Sequence, residues 1–248
     1  MYVAHLRLSI EDRYRIVRRL GEIAPKGVSL ELSAPYQHMA GVIARWFGDV
    51  HGSLYVTQYC LLRGHLQPCE AVTRSALERA AALHWIRNNP STALLAILKN
   101  DLKELKWDRP RLKPGGKALT QDLEERIAEV EALIGDEQSR LHAHKGPTKL
   151  PGKTELIKGL DTHPMVRGSG DQRSEAARLG SLSFIYSLAS KRSHPHIITL
   201  ETHTMDELTS LIPGLIGMWT ASDMQDGHPW RQPLIDVSYQ LRELATPA

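Results

Sequence analysis

The chain has 248 residues, of which 42% are hydrophobic and 24% charged, and its formal net charge at pH 7 is +3. This balance is that of an ordinary globular protein, and the charge is too small to imply nucleic-acid binding by itself. Aromatic residues make up only 6%, so the core must be aliphatic, which suits packed helices better than a β-sandwich.

Cysteine count and hydrophobic patterning argue against several classes of protein. Only two cysteines are present, Cys60 and Cys69, which argues against a disulfide framework and excludes a zinc site made of four cysteines. No apolar run reaches about 18 residues, so we expect no membrane-spanning helix. The first ten residues lack the apolar stretch of a signal peptide, and a cytoplasmic location is therefore expected.

Apolar residues recur every three or four positions along most of the chain, which is typical of amphipathic helices. The first helix is predicted to begin at Ile10 after an N-cap at Ser9, with Asp12 in a capping-box-like position. An extended linker follows at 27–33, and Pro35 opens the second helix. The later helices are predicted at 53–63, 68–87, 92–107, 120–135, 154–160, 172–192, 204–219 and 230–244.

Helix boundaries are predicted from glycine, proline and capping residues. Thr120 caps one helix and Gly135 ends it. The segment 108–117 is rich in proline, glycine and basic residues, which predicts a loop. The segment 136–170 contains repeated Gly and Pro pairs, and an irregular stretch of that length is expected to be mobile or functional.

These elements predict an all-α protein, a single bundle of about nine helices in one domain of residues 1–248. Its parts are an N-terminal helix and linker (1–33), a helical core (34–135), the irregular loop (136–170) and the C-terminal helices (171–248).

The first candidate site lies on the predicted helix at 172–192. Tyr186, Ser190 and His194 are spaced four residues apart, so all three project from one side of a helix. Polar groups aligned on an otherwise apolar face need partners, either on a facing helix or in a pocket. Lys191 and Arg192 adjoin them, and His194 falls at a helix end that favours its protonated form.

The second candidate is a short group of polar residues on the predicted helix at 68–87. Arg74, Ser75 and Glu78 stand among small apolar residues, so both charged groups are expected to be at least half buried and paired. Their expected partners are Tyr186, Ser190 and His194. Such a network either forms a catalytic or ligand site or pins two core helices together, and the residues alone leave both interpretations open.

Other motifs that could carry chemistry are weaker. The pairs His142-x-His144 and His194-x-His196 lack carboxylates at metal-ligand spacing, so neither a metal nor another cofactor is expected. The segment 99–117 carries seven Lys or Arg against three acids and could hold a phosphate backbone, although such a charge run is more often a solvated surface.

The Arg-Ser-x-x-Glu segment at Arg74 and the Tyr-x-x-x-Ser-x-x-x-His segment at Tyr186 together resemble a broad family of uncharacterised helical bacterial proteins. That family is in turn similar to the HEPN helical domains, many of which are metal-independent, often dimeric ribonucleases of toxin and phage-defence systems. The HEPN signature separates an Arg from a His by four to six residues, whereas only three separate Arg192 from His196.

The resemblance implies a metal-independent ribonuclease acting on RNA as a homodimer. Arg74 or Arg192 would hold the phosphate, and His194 would act as general acid or base. The expected catalytic group is His194, Arg74, Glu78, Tyr186 and Ser190, and the expected substrate-binding residues are Arg192, Lys191 and Ser75.

Two alternatives stay open. The chain could be a non-catalytic interaction or regulatory module that binds a partner protein, with the polar network purely structural. It could also be a small-molecule enzyme or binding protein with a pocket between the two motif helices.

Overall fold

The computed structural model describes residues 9–63, 66–112, 117–141, 146–167, 186 and 207–245. Within these ranges the chain forms nine α-helices and no β-strand, which confirms the all-α class. In chain order they are α1 (Ile10–Ile23), α2 (Ala40–Leu62), α3 (Leu66–Asn88), α4 (Ala93–Leu112), α5 (Lys117–Arg140), α6 (Lys153–Gly159), α7 (Pro164–Arg167), α8 (Glu207–Asp223) and α9 (Arg231–Ala245). None of these helices is both long and apolar enough to span a bilayer.

The chain divides into two compact units. The larger unit contains Met1–Arg87 and Lys153–Ala248, and the hairpin unit contains Asn88–Gly152. The single domain expected for residues 1–248 stays a prediction.

The larger unit is built on α2, which packs against both α1 and α8. Ser9 caps α1 as predicted, because its hydroxyl accepts a hydrogen bond from the Asp12 amide. The helix α3 is buried over most of its surface, and its side chains are small on the buried sides. The buried residues of α3 include Ala76, Leu77, Ala80, Ala81, Ala82, Leu83 and Ile86. Small side chains allow close packing of neighbouring helices, which is what an aliphatic core with few aromatics requires.

The hairpin unit consists of α4 and α5 packed along their length. Its core is formed by Leu95 of α4 with Val130, Ile134 and Leu141, and three further leucines pack against this core from α4 (Leu98, Leu102 and Leu105). Ion pairs outside the apolar contact join Lys106 to Glu131 at 2.7 Å and Arg109 to Glu124 at 2.6 Å. The two helices therefore pair as a helical hairpin.

Several helix boundaries differ from the predicted ones. The helices predicted at 34–50 and 53–63 form the single helix α2, preceded by a 3₁₀ turn at Ala34–Met39. A glycine inside a helix costs about 1 kcal/mol, which is less than the burial of one large aliphatic side chain contributes. Val50 and Leu54 are buried on either side of Gly52, so their packing carries the helix through this position.

The hairpin helices also extend further than predicted. α4 continues through Pro110 to Leu112, and α5 begins at Lys117 and passes through Gly135. Pro110 is exposed, so water can satisfy the carbonyl that the missing proline N–H leaves without a helix partner. Thr120 is therefore inside the helix and not at its cap.

The segment 136–170 is more helical than predicted, because it includes the end of α5 together with α6, the 3₁₀ turn Leu160–Thr162 and α7. Burial explains the difference. Leu156, Ile157 and Leu160 are all buried, so the short helices contribute an apolar face to the core of the larger unit despite the surrounding Pro and Gly residues.

Candidate functional site

The candidate site is centred on the carboxylate of Glu78 on α3. One of its oxygens, Oε1, accepts hydrogen bonds from the Tyr186 hydroxyl at 2.9 Å and from Arg74 Nε at 3.3 Å. The other, Oε2, lies 2.8 Å from Lys153 Nζ at the start of α6. The side chains of Arg74 and Glu78 are 23% and 21% exposed, which agrees with the expectation that both charges are more than half buried.

Tyr186 joins the two predicted motifs. Besides donating to Glu78, its buried ring lies under the Arg74 guanidinium, with 5.5 Å between the guanidinium carbon and the ring centroid. A cation above a sheltered aromatic face is attracted by the ring quadrupole. The predicted contact between the two motifs is therefore present for Arg74, Glu78 and Tyr186.

The electrostatics of the cluster favour an ionised carboxylate beside a neutral phenol. Burial opposes ionisation of Glu78, but hydrogen bonds from Lys153 and Tyr186 and the charges of Lys153 and Arg74 outweigh it and lower the pKa of Glu78. Burial and the bond to Glu78 raise the pKa of the Tyr186 hydroxyl. The cluster consequently carries two cations and one carboxylate at neutral pH, and this positive balance suits an anionic group at its exposed edge.

Lys153 is the member of the cluster that the sequence did not indicate. It follows Pro151 and Gly152 in a segment that was predicted to be irregular, and nothing in its spacing relates it to Glu78, which lies 75 positions earlier. Its side chain is 65% exposed, so it forms the solvent-facing side of the cluster.

Of the other predicted site residues, the structure describes only Ser75. Ser75 is exposed, although it was expected beside Arg74 in the site. Ser190, Lys191, Arg192 and His194 lie outside the described residues, and their predicted positions stay predictions.

A second polar cluster lies further along α3 and was not predicted. The ring of His84 is 4.9 Å from that of His163, measured between centroids, in an edge-to-face arrangement. Arg87, one turn beyond His84, pairs with Asp223 of α8. We call these four residues the histidine cluster. Its members come from segments far apart in sequence, so no local spacing could have revealed them.

Ser222, Asp223 and His228 have the composition of a catalytic triad but not its accessibility. Ser222 Oγ lies 2.7 Å from His228 Nδ1, and His228 Nε2 is 3.8 Å from Asp223 Oδ1. Ser222 is, however, fully buried, and its Oγ accepts a hydrogen bond from the Trp230 amide. A nucleophile must reach its substrate, which a fully buried hydroxyl cannot do. The hydrogen bonds of Ser222 instead stabilise the turn before α9.

A cleft of about 580 Å³ opens in the larger unit beside the 27–33 linker. Its lining residues are Leu30, Glu31, Leu32, Gln37, Ala40, Gln225, Asp226 and Pro229. The two glutamine side chains in the lining bind backbone groups, because Gln37 donates to the Leu32 carbonyl and Gln225 accepts from the Glu31 amide. The cleft is therefore lined by four apolar and four polar residues, two of them carboxylates, and the lining that the structure describes contains no serine, threonine, cysteine or lysine.

Among the residues that the structure describes, no group of three or more His, Cys, Asp or Glu side chains is arranged to hold a metal ion.

Comparison with known proteins places the chain in an uncharacterised group. Residues 41–209 match the model of a family described as a family of unknown function (DUF5677). That range covers more than half of the chain and includes Arg74, Glu78, Lys153 and Tyr186. No curated protein and no solved structure matches the chain.

Proposed function

Because the chain belongs to the DUF5677 family, whose function is unknown, we propose from its own residues that it is a metal-independent endoribonuclease, HEPN-like in its chemistry. The observation that supports the proposal is the convergence of Arg74, Tyr186 and Lys153 on Glu78. A cationic group held on a rigid, partly sheltered helix is what binding of a scissile phosphate requires.

In the proposed reaction the ribose 2′-hydroxyl attacks the adjacent phosphorus. His194 removes the proton of that hydroxyl as general base. A second, protonated side chain acts as general acid and donates a proton to the leaving 5′-oxygen. The products are a 2′,3′-cyclic phosphate and a free 5′-hydroxyl, so atoms and charge balance without a metal. Arg74 or Arg192 neutralises the phosphate, with Lys191 and Ser75 as further substrate contacts.

Glu78 and Tyr186 act in this proposal by positioning the other groups. The carboxylate binds Arg74 Nε, and the ring of Tyr186 lies under the same guanidinium. Ser190 is proposed to orient His194. Lys153, two-thirds exposed on the other side of the carboxylate, attracts the phosphate chain toward the site.

The proposal includes a homodimer, acting in the cytoplasm where RNA is available. One face of α2 exposes apolar side chains, with Val56 44% and Tyr59 62% exposed. If two copies of α2 cross antiparallel at Gly52, Val56 of each copy faces Gly48 of the other, where a Cβ would meet nothing. Tyr59 then faces Arg45, and each contact occurs twice, as two-fold symmetry requires. A monomer mass in light scattering at 50 µM would contradict this part.

The experiment that tests the activity is incubation of purified protein with single-stranded RNA in excess EDTA. We expect cleavage with 2′,3′-cyclic phosphate ends, and at least about 100-fold less cleavage with His194→Ala, the usual loss when a general acid or base is removed. His38→Ala, which removes an exposed histidine elsewhere, is the matched control. Equal rates for wild type and His194→Ala, or loss of wild-type activity in EDTA, would sink the proposal.

A non-catalytic interaction or regulatory module that binds a partner protein is the second candidate. The observation in its favour is that three donors already occupy both oxygens of Glu78, as in a network that only pins helices together. Under this alternative Glu78→Gln lowers the free energy of unfolding by about 1–3 kcal/mol, and wild type cleaves no RNA.

A further inference from the structure

The continuation of α4 through the segment predicted to be a loop aligns a row of side chains. Lys99, Lys103, Trp107 and Arg111 are four residues apart on α4, so successive members lie about 6 Å apart along one side of the helix. Lys103, Trp107 and Arg111 are exposed, and Lys99 is partly exposed. We call these four residues the α4 row.

Trp107 is the unusual member of the row. It is 66% exposed, whereas the leucines that pack α4 against α5 occupy a different side of the helix. The guanidinium of Arg111 lies over the indole, 5.2 Å from the ring centroid. An indole that adds nothing to the hairpin core, with a cation at its face, has the form of a platform on which an unpaired base can stack.

The cations of the row are less neutralised by carboxylates than two other cations of the same helix are. Lys106 and Arg109 are bound to carboxylates of α5. Lys99 and Lys103 form no ion pair with the carboxylates that the structure describes, and Arg111 has only a 3.7 Å pair with Asp108. The row itself contains three cations and no acid, so it complements a chain of phosphates.

We propose that the α4 row is a binding surface for single-stranded RNA, with the cations on successive phosphates and a base stacked on Trp107. This surface lies in the hairpin unit and does not need the proposed cleavage activity. Only the choice of RNA over DNA rests on that activity. Single-stranded nucleic acid is favoured over a duplex because the face of an indole can be reached only by an unstacked base.

The test is fluorescence anisotropy with a labelled 12-nucleotide 2′-O-methyl RNA in EDTA, a probe that cannot undergo attack by the 2′-oxygen. Trp107→Ala is expected to weaken binding roughly 5- to 150-fold, the range measured for loss of one stacked base, and Trp107→Phe to keep most of the affinity. Lys103→Ala should reduce the slope of log affinity against log salt by about 0.7, the value for one phosphate contact with a single strand.

Arg126→Ala is the matched control, because it removes one exposed cation from α5 outside the row and should leave the affinity within about twofold. Equal binding by wild type and Trp107→Ala, equal binding of a duplex, tighter binding of the matching DNA strand, or equal binding of a polyglutamate peptide would each overturn the proposal. RNA cleavage is measured separately on the same variants. A protein that binds the probe but cleaves no RNA leaves the α4 row standing and removes only the proposed ribonuclease activity.

Discussion

His84 and His163 are held neutral by their surroundings. Burial, with the charge of Arg87, lowers the pKa of His84 to about 4, and Asp223 opposes this shift. Burial, then His84 and Arg87, lower the pKa of His163 to about 2. Its Nδ1 accepts a hydrogen bond from the Met165 amide, and its Nε2 lies 3.1 Å from Thr220 Oγ1. The ring therefore uses one nitrogen as acceptor and the other as donor, which only the neutral form allows.

This neutrality predicts that the fold loses stability in mild acid. In the unfolded chain both histidines titrate near 6.5, whereas in the fold they titrate at about 4 and about 2. Between pH 6.5 and 4.5 the unfolded state thus binds more protons, and the free energy of unfolding falls as pH falls. The loss is about 1.4 kcal/mol per pH unit for each histidine, and the full contribution is present above pH 6.5. Urea unfolding at pH 7, 6 and 5 measures it.

Replacing one histidine isolates its share of the pH dependence. In His84→Gln the slope between pH 6.5 and 4.5 should be smaller by about 1.4 kcal/mol per pH unit, whatever the variant's stability at pH 7. His38→Gln, at an exposed position, should keep the wild-type slope. If His84→Gln keeps it as well, His84 is not a buried neutral group.

At the scale of single residues, sequence spacing predicted part of the candidate site. Arg74 and Glu78 are one helical turn apart, and charges among small apolar residues must find partners, so their contact with Tyr186 was expected. Lys153 and the histidine cluster were not, because their members meet only through tertiary packing. Arg74 and Glu78 also bind each other within the helix.

The contact between α2 and α8 depends on glycine. A Cβ on Gly214 would overlap the side chain of Leu54, and one on Gly217 would overlap that of Val50. Both glycines are buried in α8, and both of the side chains they meet belong to the buried face of α2. The two helices can therefore approach this closely only because α8 lacks side chains at these positions. Glycine has no side-chain rotamers, so its burial in this contact costs no side-chain entropy.

Replacing glycine by alanine should consequently have opposite effects on the stability of the fold at Gly217 and at Gly135. Gly217→Ala inserts a methyl group into a filled contact and should destabilise the fold by about 1–3 kcal/mol. Gly135→Ala lies inside α5, where a Cβ meets nothing, and should stabilise it by about 0.5–1 kcal/mol, because alanine is the better helix former. Thermal unfolding of both variants measures this. Stabilisation by Gly217→Ala would show that α2 and α8 are not in close contact.

Element type could be predicted from this sequence more reliably than element boundaries. Apolar residues recur every three to four positions on the buried face of a helix. This pattern correctly predicted most of the helices that the structure describes. Gly52 fell between two predicted helices, Pro110 fell in a predicted loop, and Gly135 was predicted to end a helix. Each of these residues weakens a helix locally. Packing on both sides overrode that weakness for the glycines, and such packing is a property of the folded chain.

At the scale of the whole molecule, the family match spans both compact units. Residues 41–209 include all of the hairpin unit. The expectation of one domain came from interpreting all of the predicted helices as a single bundle. Helix periodicity does not show whether a hairpin has an apolar core of its own, since α4 and α5 are amphipathic like the other helices.

The hairpin unit has a small core of its own, and this predicts that it opens independently. Val130→Ala removes two methyl groups from a site that is 2% exposed and should cost about 2 kcal/mol. Native-state hydrogen exchange, followed by mass spectrometry, should then accelerate about 30-fold in peptides from 93–141 while those from α2 and α8 keep their rates. Ile43→Val, in the core of the larger unit, should give the converse pattern. Equal acceleration in both units by either variant would mean that residues 1–248 unfold as one cooperative domain.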